Sequence, residues 1–290
     1  MKKFILILLA AGGVLSVAPP RASAQLFSGL TSGTTIATYA NPGAVPTNYT
    51  VTGLNAGDTL VSIDYFASGD GRLYGFGNSG TLYSLASSGA TYAATVSATS
   101  AAPVITGATA IDFNPAAGRL RIFQGQNNFR LTPGTGLQSN DGTFAYVAND
   151  PGTGITPTLL AAAYTNNVPG SGATSLYSID TGRNTLMLHS GTPTFSTIQT
   201  VATLTLGGLT FDAVAGIGFD IAGASTAYLS QGNTLYSVNL GSGVMTSLGA
   251  QSGAAFTDFA VIPEPSTYAL FAVGALAVGV AAVRRRQTAA

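Results

Sequence analysis

An all-β fold of the propeller type is what this sequence predicts, on three observations. Residues 25–262 are rich in Gly, Ser, Thr, Ala and Tyr and contain neither Lys nor Glu. Helices draw on the long charged side chains that are missing, strands and turns on those present. Four stretches of similar pattern follow one another along the chain. Within them, short apolar runs recur every eight to ten residues between Gly-rich turns, the interval of a short strand plus a tight turn.

The four units begin at Leu60 ("LVSIDYFASGDGRLYGFG"), Ala108 ("ATAIDFNPAAGRLRIF"), Pro157 ("PTLLAAAYTNNVPGSG") and Val214 ("VAGIGFDIAGASTAYL"). Each starts with an apolar strand, usually ending in Asp plus an aromatic or aliphatic residue. Asp64, Tyr74 and Tyr83 stand ten and nine residues apart, Asp112, Arg121 and Arg130 nine and nine, Asp220, Tyr228 and Tyr236 eight and eight. The third unit departs, with Ala163 where Asp is expected and a longer loop in place of its second strand. Four-strand units repeated about every fifty residues suit propeller blades, whose radial packing leaves only short edges.

A fifth blade is expected from the two ends. "AAFTDFAVI", from Ala254, reads as another first strand with Asp258 in the Asp position. "TTIATYANPG" and "TNYTVTGL" read as outer strands without a first strand. Joining them predicts closure by N- and C-terminal strands, provided residues 255–262 pair beside the N-terminal ones. Four blades, six blades or an irregular β-solid are the alternatives.

Outside this body the chain reads as addresses. Residues 1–24 form a secretory signal: Lys2 and Lys3, an apolar run Phe4 to Val17, and Ala22-Ser23-Ala24 before a cut between Ala24 and Gln25. An uncleaved anchor is the alternative, opposed by Pro19, Pro20 and Arg21. At the other end, Pro263-Glu264-Pro265 precedes an apolar stretch, expected as a transmembrane helix over 267–283, and then Arg284, Arg285 and Arg286. Tyr268 to Val283, at about 1.5 Å per residue, spans roughly 24 Å, close to a hydrocarbon core of about 30 Å. The arginines hold the cytoplasmic side.

The combination of Pro263, Glu264, Pro265, the apolar stretch and the Arg triplet closely resembles the PEP-CTERM sorting signal of Gram-negative bacteria. That resemblance implies export, a temporary membrane stop, exosortase cleavage near the PEP motif and delivery to the envelope or extracellular matrix. An ordinary permanent tail anchor is the alternative. The expected organisation is therefore a signal peptide at 1–24, a propeller-like domain at 25–262 and a sorting signal at 263–290. Within the body, "IDFNPAAGRLRI" (Ile111–Ile122), "NNFRL" (Asn127–Leu131), "AAAYTNN" (Ala161–Asn167) and "TSLYSID" (Thr174–Asp180) resemble DUF4394, a propeller-like family of unknown function. The resemblance implies the fold and transfers no activity.

The formal net charge of zero conceals an acidic body. Residues 25–262 hold Arg72, Arg119, Arg121, Arg130 and Arg183 against ten aspartates, about five charges negative. No basic patch for nucleic acid can be assembled from this set. With no Cys there is no thiol nucleophile, thiolate metal site or disulfide, and a body of this size can bury a core without one.

Catalytic patterns are sparse. His189, in "TLMLHSG", cannot build a multi-histidine zinc site, and no G-x-S-x-G elbow accompanies it; it reads as a strand-end or surface residue. "GFGNSG" (Gly75–Gly80) is a hairpin turn, not a phosphate loop. The candidate site is Asp64, Asp112, Asp220 and Asp258. At equivalent places on first strands they converge on the central channel, where a hard cation such as Ca²⁺ suits carboxylate oxygens. The competing reading has each Asp accept backbone N–H groups in its own blade turn. Arg121 and Arg130 with Asn127 and Asn128 form a second set, able to grip a sugar or acid or to pair with Asp112 or Asp141. Tyr49, Tyr92 and Tyr146 are candidate stacking surfaces for sugar rings.

The expected function is that of a non-enzymatic envelope or matrix protein interacting with exopolysaccharide or biofilm components, with no nucleic acid partner. Its expected partners are the secretion machinery, an exosortase and, transiently, the inner membrane. The alternatives are a metal-assisted hydrolase or lactonase acting through the Asp set, and a calcium-stabilised adhesin without turnover.

Overall fold

The computed structural model describes residues 26–168 and 170–262. The expected signal peptide, its cut at Ala24 and Gln25, and the tail from Pro263 through Arg286 lie outside the described residues. Three strands come first: β1 (Phe27–Ser32), β2 (Thr35–Tyr39) and β3 (Thr47–Thr52). The first four-strand unit is β4 (Leu60–Tyr65), β5 (Leu73–Gly77), β6 (Thr81–Ser88) and β7 (Thr91–Thr99). The second is β8 (Ala110–Asn114), β9 (Arg119–Gln124), β10 (Asn127–Leu131) and β11 (Gln138–Thr143). A short β12 (Ala145–Tyr146) leads to β13 (Leu159–Tyr164), β14 (Leu176–Asp180), β15 (Thr185–Ser190) and β16 (Thr197–Thr203). Then β17 (Thr205–Leu206) and β18 (Leu209–Thr210) lead to β19 (Ile217–Ala222), β20 (Thr226–Gln231), β21 (Thr234–Val238) and β22 (Val244–Ala250). The last strand is β23 (Asp258–Val261). No helix occurs among the described residues.

Each unit is an antiparallel meander, and the predicted closure is present. β23 lies antiparallel to β1, with Phe27 opposite Val261 and Leu30 opposite Asp258, so the fifth blade is β23-β1-β2-β3. The first strands β4, β8, β13, β19 and β23 pack side by side in a closed circuit, β23 returning to β4. This is a five-bladed propeller-like wheel. The strand β1 was not legible beforehand; "FSGLTS" lacks the aromatic alternation of its neighbours.

The sequence spacing corresponds to register. Asp64 lies opposite Tyr74, Asp112 opposite Arg121, Arg121 opposite Arg130, and Asp220 opposite Tyr228. The third unit keeps all four strands: its long loop, residues 165–175, lies between β13 and β14 and does not replace the second strand. Outer edges are covered in a recurring way. The strand preceding a unit runs parallel to that unit's outer strand: β3 beside β7, β12 beside β16, β17 beside β22. Capping an edge removes its unpaired backbone groups.

Between blades the core is aromatic and aliphatic. Phe66 stacks on Phe113 at 4.3 Å, and Tyr74 meets the Phe113 ring edge-on at 5.2 Å. At the closing blade, Phe27 stacks on Tyr39 at 4.7 Å and meets Phe256 and Phe259 edge-on. Gly218 lets β19 and β23 approach closely: a Cβ there would stand 2.9 Å from Phe259 N and 2.7 Å from its ring. Both ends of the described chain meet at one point, where Ile262 N–H donates to Leu26 O at 2.8 Å.

Candidate functional site

The first strands bring three of the four predicted aspartates together. Oxygens of Asp64, Asp112 and Asp220 lie within 4.8 Å of one another, and all three side chains are buried. Each carboxylate also clips its strand to the next blade. Asp64 Oδ2 accepts from Phe113 N (2.7 Å), Asp112 Oδ1 from Tyr164 N (3.1 Å) and Asp220 Oδ2 from Val261 N (2.5 Å). In each case the donor follows the position that matches the Asp, so the layer reads Asp64, Asp112, Ala163, Asp220, Ala260 around the channel. The backbone partners expected within each Asp's own blade turn are therefore mostly in the neighbouring blade. The exceptions are Asp64 and Asp220, whose Oδ1 atoms each accept from the next residue of their own strand.

Asp258 stands two residues earlier on its strand, one layer away, about 7 Å by strand rise. It makes the same kind of clip there: Oδ2 accepts from Ile63 N (2.9 Å) and from Ser62 Oγ (2.5 Å). Ala260, not Asp258, occupies the equivalent place in the closing strand.

Burial dominates the electrostatics of this layer. It raises the Asp64 and Asp112 carboxyls well above the usual carboxylate range, and the neighbouring carboxylates add to the rise. Asp220 is pushed up to about 6, against the opposing effect of its backbone hydrogen bonds. Asp258 is pushed up to about 7 by burial, again against its hydrogen bonds to Ser62 and the backbone. Three buried carboxyls this close either share protons or hold a hard cation, since like charges disfavour joint ionisation.

Unfolded aspartates titrate near 3.9, so groups raised to about 6 and about 7 in the fold bind protons more tightly folded than unfolded. Their stabilisation is complete below about pH 4 and is lost as pH rises through 6 to 7. In chelator, the melting temperature is expected to fall between pH 5 and pH 8, by about 2–4 °C for each kcal/mol lost. A flat profile over that range contradicts the assignment. If the layer takes a cation, millimolar Ca²⁺ restores the melting temperature lost by pH 8; if it only shares protons, Ca²⁺ changes nothing.

The second candidate set is an internal staple. Arg121 is 1% exposed. Its Nη1 donates to Asp141 Oδ2 (2.6 Å), Asn128 Oδ1 (2.7 Å) and Thr194 O (2.9 Å). Nε donates to Tyr164 Oη and Nη2 to Pro193 O. Arg130 makes a two-bond fork to Asp141 through Nε and Nη2 at 2.6 and 2.7 Å. Asp141, of the two carboxylates considered, is the partner. Asn128 is buried with the staple, whereas Asn127 is exposed. The carbonyls of Pro193 and Thr194, in the next blade, had no signal in the sequence.

His189 is at a strand end, as expected, but it is buried and not on the surface. Nδ1 faces Phe195 O and Nε2 faces Ser178 Oγ, both at 2.8 Å. A carbonyl only accepts, so Nδ1 carries the proton and Nε2 accepts from the serine. Burial lowers its pKa to about 3. The tyrosines are less exposed than the sequence suggests. Tyr92 is buried and packs on Tyr49 at 4.8 Å, while Tyr146 donates to Asp180 and lies beneath Arg183.

A family model described as a domain of unknown function, DUF4394, matches residues 35–260. The chain belongs to the DUF4394 family. A PEP-CTERM protein-sorting motif matches residues 261–286 directly after the DUF4394 region. That motif indicates export and membrane-associated sorting by an exosortase-type system, typical of Gram-negative bacteria. No curated protein matches the chain. Among solved structures, the DUF4394 chain is similar to a luciferin-regenerating enzyme, at 14% identity over 84% of this chain and 74% of that one, with a TM-score of 0.44. It is also similar to the major Malassezia sympodialis allergen Mala s 1, at 11% identity over 77% and 75%, TM-score 0.44. A third similar structure is YCF48 from Cyanidioschyzon merolae, at 14% identity over 69% and 58%, TM-score 0.37.

Proposed function

We propose that this protein is an exported envelope or matrix component whose DUF4394 wheel is a non-enzymatic binding or structural module for exopolysaccharide or biofilm partners. In this reading residues 1–24 are removed on export and residues 263–290 serve exosortase processing. The observation that carries it is the position of the sorting motif. It begins at residue 261, the last residue of the closing strand β23, so the sorting segment leaves directly from the completed wheel. The chain's one histidine is used internally. The Ser178–His189 pair is buried, and its imidazole is held by a carbonyl rather than a carboxylate.

Intact-mass measurement of the protein from cells and from medium tests this reading. The expected species lacks residues 1–24 and the Arg284–Arg286 triplet. Retention of the triplet in every fraction would mark a permanent anchor. Co-sedimentation of the released form with the host's exopolysaccharide tests the binding role.

The carboxylate layer favours a second reading, a metal-assisted hydrolase or lactonase with Asp64, Asp112 and Asp220 around a cation such as Ca²⁺, and Asp258 one layer off. A Ca²⁺-dependent esterase or lactonase activity lost in Asp112→Ala would replace the first reading with this one.

A further inference from the structure

The wheel has two faces, and the chain leaves it from only one. The first strands run in the same sense: Thr109 meets Leu159 at the starts of β8 and β13 and Asp112 meets Tyr164 further along both, and the same Asp clip repeats from β4 and β19. Their C-terminal ends therefore lie on one face, with the turns 66–72, 115–118 and 223–225. Val261 and Ile262 end on that face, and Leu26 starts there, bonded to Ile262. In the carboxylate layer Asp64 and Asp220 lie in the C-terminal halves of β4 and β19, nearer this face, and Asp112 lies at the middle of β8. The opposite face carries the turns 78–80, 125–126 and 232–233.

The tether between Ile262 and the expected membrane segment at 267–283 is residues 263–266, four residues, which reach at most about 14 Å when fully extended. A compact body of 237 residues (26–262) has a radius of gyration of about 18 Å and is roughly 45 Å across. A tether shorter than the body's width cannot let the far face swing round to the bilayer.

We propose that, while the tail is uncut, the propeller stands with this terminus-bearing face against the bilayer surface. The channel mouth nearest the carboxylate layer is then covered by lipid and becomes open to solvent when the tail is cut. The proposal rests on the reading of residues 263–290 as a membrane-held sorting segment, and its partner is the lipid headgroup surface.

The chain contains no cysteine, so single labels are clean. Ala116→Cys, in the exposed β8–β9 turn, reports the proposed bilayer face; Gln126→Cys, in the exposed β9–β10 turn, reports the other. The six-residue strand β9 separates them by about 20 Å. Ser225→Cys, exposed in the β19–β20 turn, gives a second position on the bilayer face should Ala116→Cys fold poorly. Full-length chains carrying a fluorophore at each site are reconstituted into phosphatidylethanolamine–phosphatidylglycerol vesicles with a quencher on the headgroups. The expected result is several-fold stronger quenching at residues 116 and 225 than at 126, abolished in a chain ending at Ile262. Vesicle-bound protein with equal quenching, or stronger quenching at 126, overturns the orientation alone. Failure of the full-length chain to associate with vesicles overturns the sorting reading and the orientation with it.

Discussion

A chain ending at Thr257 is expected to lose cooperative unfolding, whereas a chain ending at Ile262 melts in one transition. The five residues between these ends contain the whole of β23. Phe259, Ala260 and Val261 are each no more than 3% exposed. Removing them uncovers the apolar surface of β1, β4 and β19 and strips β1 of one of its two ladder partners, leaving only β2. It also leaves Asp220 Oδ2 without its Val261 donor, and Ile63 N and Ser62 Oγ without Asp258. Buried apolar side chains contribute about 1.5–3 kcal/mol each and orphaned buried polar groups cost about 1–3 kcal/mol. The sum is comparable with the total stability of a domain, about 5–15 kcal/mol. Circular dichroism during heating is the measurement. A chain ending at Thr257 that melts like the longer one would show that β23 does not close the wheel. An exosortase cut compatible with a folded product therefore falls after Val261.

Arg121→Ala is expected to cost about 3–5 kcal/mol, the range for breaking a buried ion pair from one side. All three guanidinium nitrogens donate, and their acceptors come from two blades: Asn128 and Asp141 in the second, Tyr164, Pro193 and Thr194 in the third. Truncation leaves these acceptors buried and removes one of the two guanidinium groups that share Asp141 Oδ2, leaving Arg130 as the remaining cation there. Arg121→Lys is expected to recover little, because an ammonium cannot reproduce the planar fork. Urea unfolding followed by tyrosine fluorescence is suited to the test, as the chain has no Trp. A loss below about 1 kcal/mol would mean that the staple is solvated, contrary to its burial.

The blades were legible because a strand and its hairpin partner are neighbours in sequence. A spacing of nine residues from Asp112 to Arg121 and again to Arg130 is register itself. Closure was legible for a related reason: a unit with two outer strands and no first strand must find one elsewhere. The channel layer was only half legible. That Asp64, Asp112 and Asp220 share a layer follows from the repeat, but Asp258 is displaced by two residues. Its strand belongs to no unit of the repeat and takes its register from β1 and β19.

The burial of His189 and Tyr92 was not legible because a polar or phenolic group at a strand end looks alike whether the next blade covers it or water does. From composition and local spacing alone came the β-structure, the turn positions and the acidic body, since each depends on residues within a few positions of one another; the sorting tail came from the resemblance of residues 263–286 to a known signal. Only the tertiary structure decided which groups meet across blades: Asp64 with Phe113, Arg121 with Pro193, Asp220 with Val261. Those partners lie about forty to seventy residues apart, and their meeting depends on how adjacent blades settle against one another, a packing outcome that no local pattern encodes.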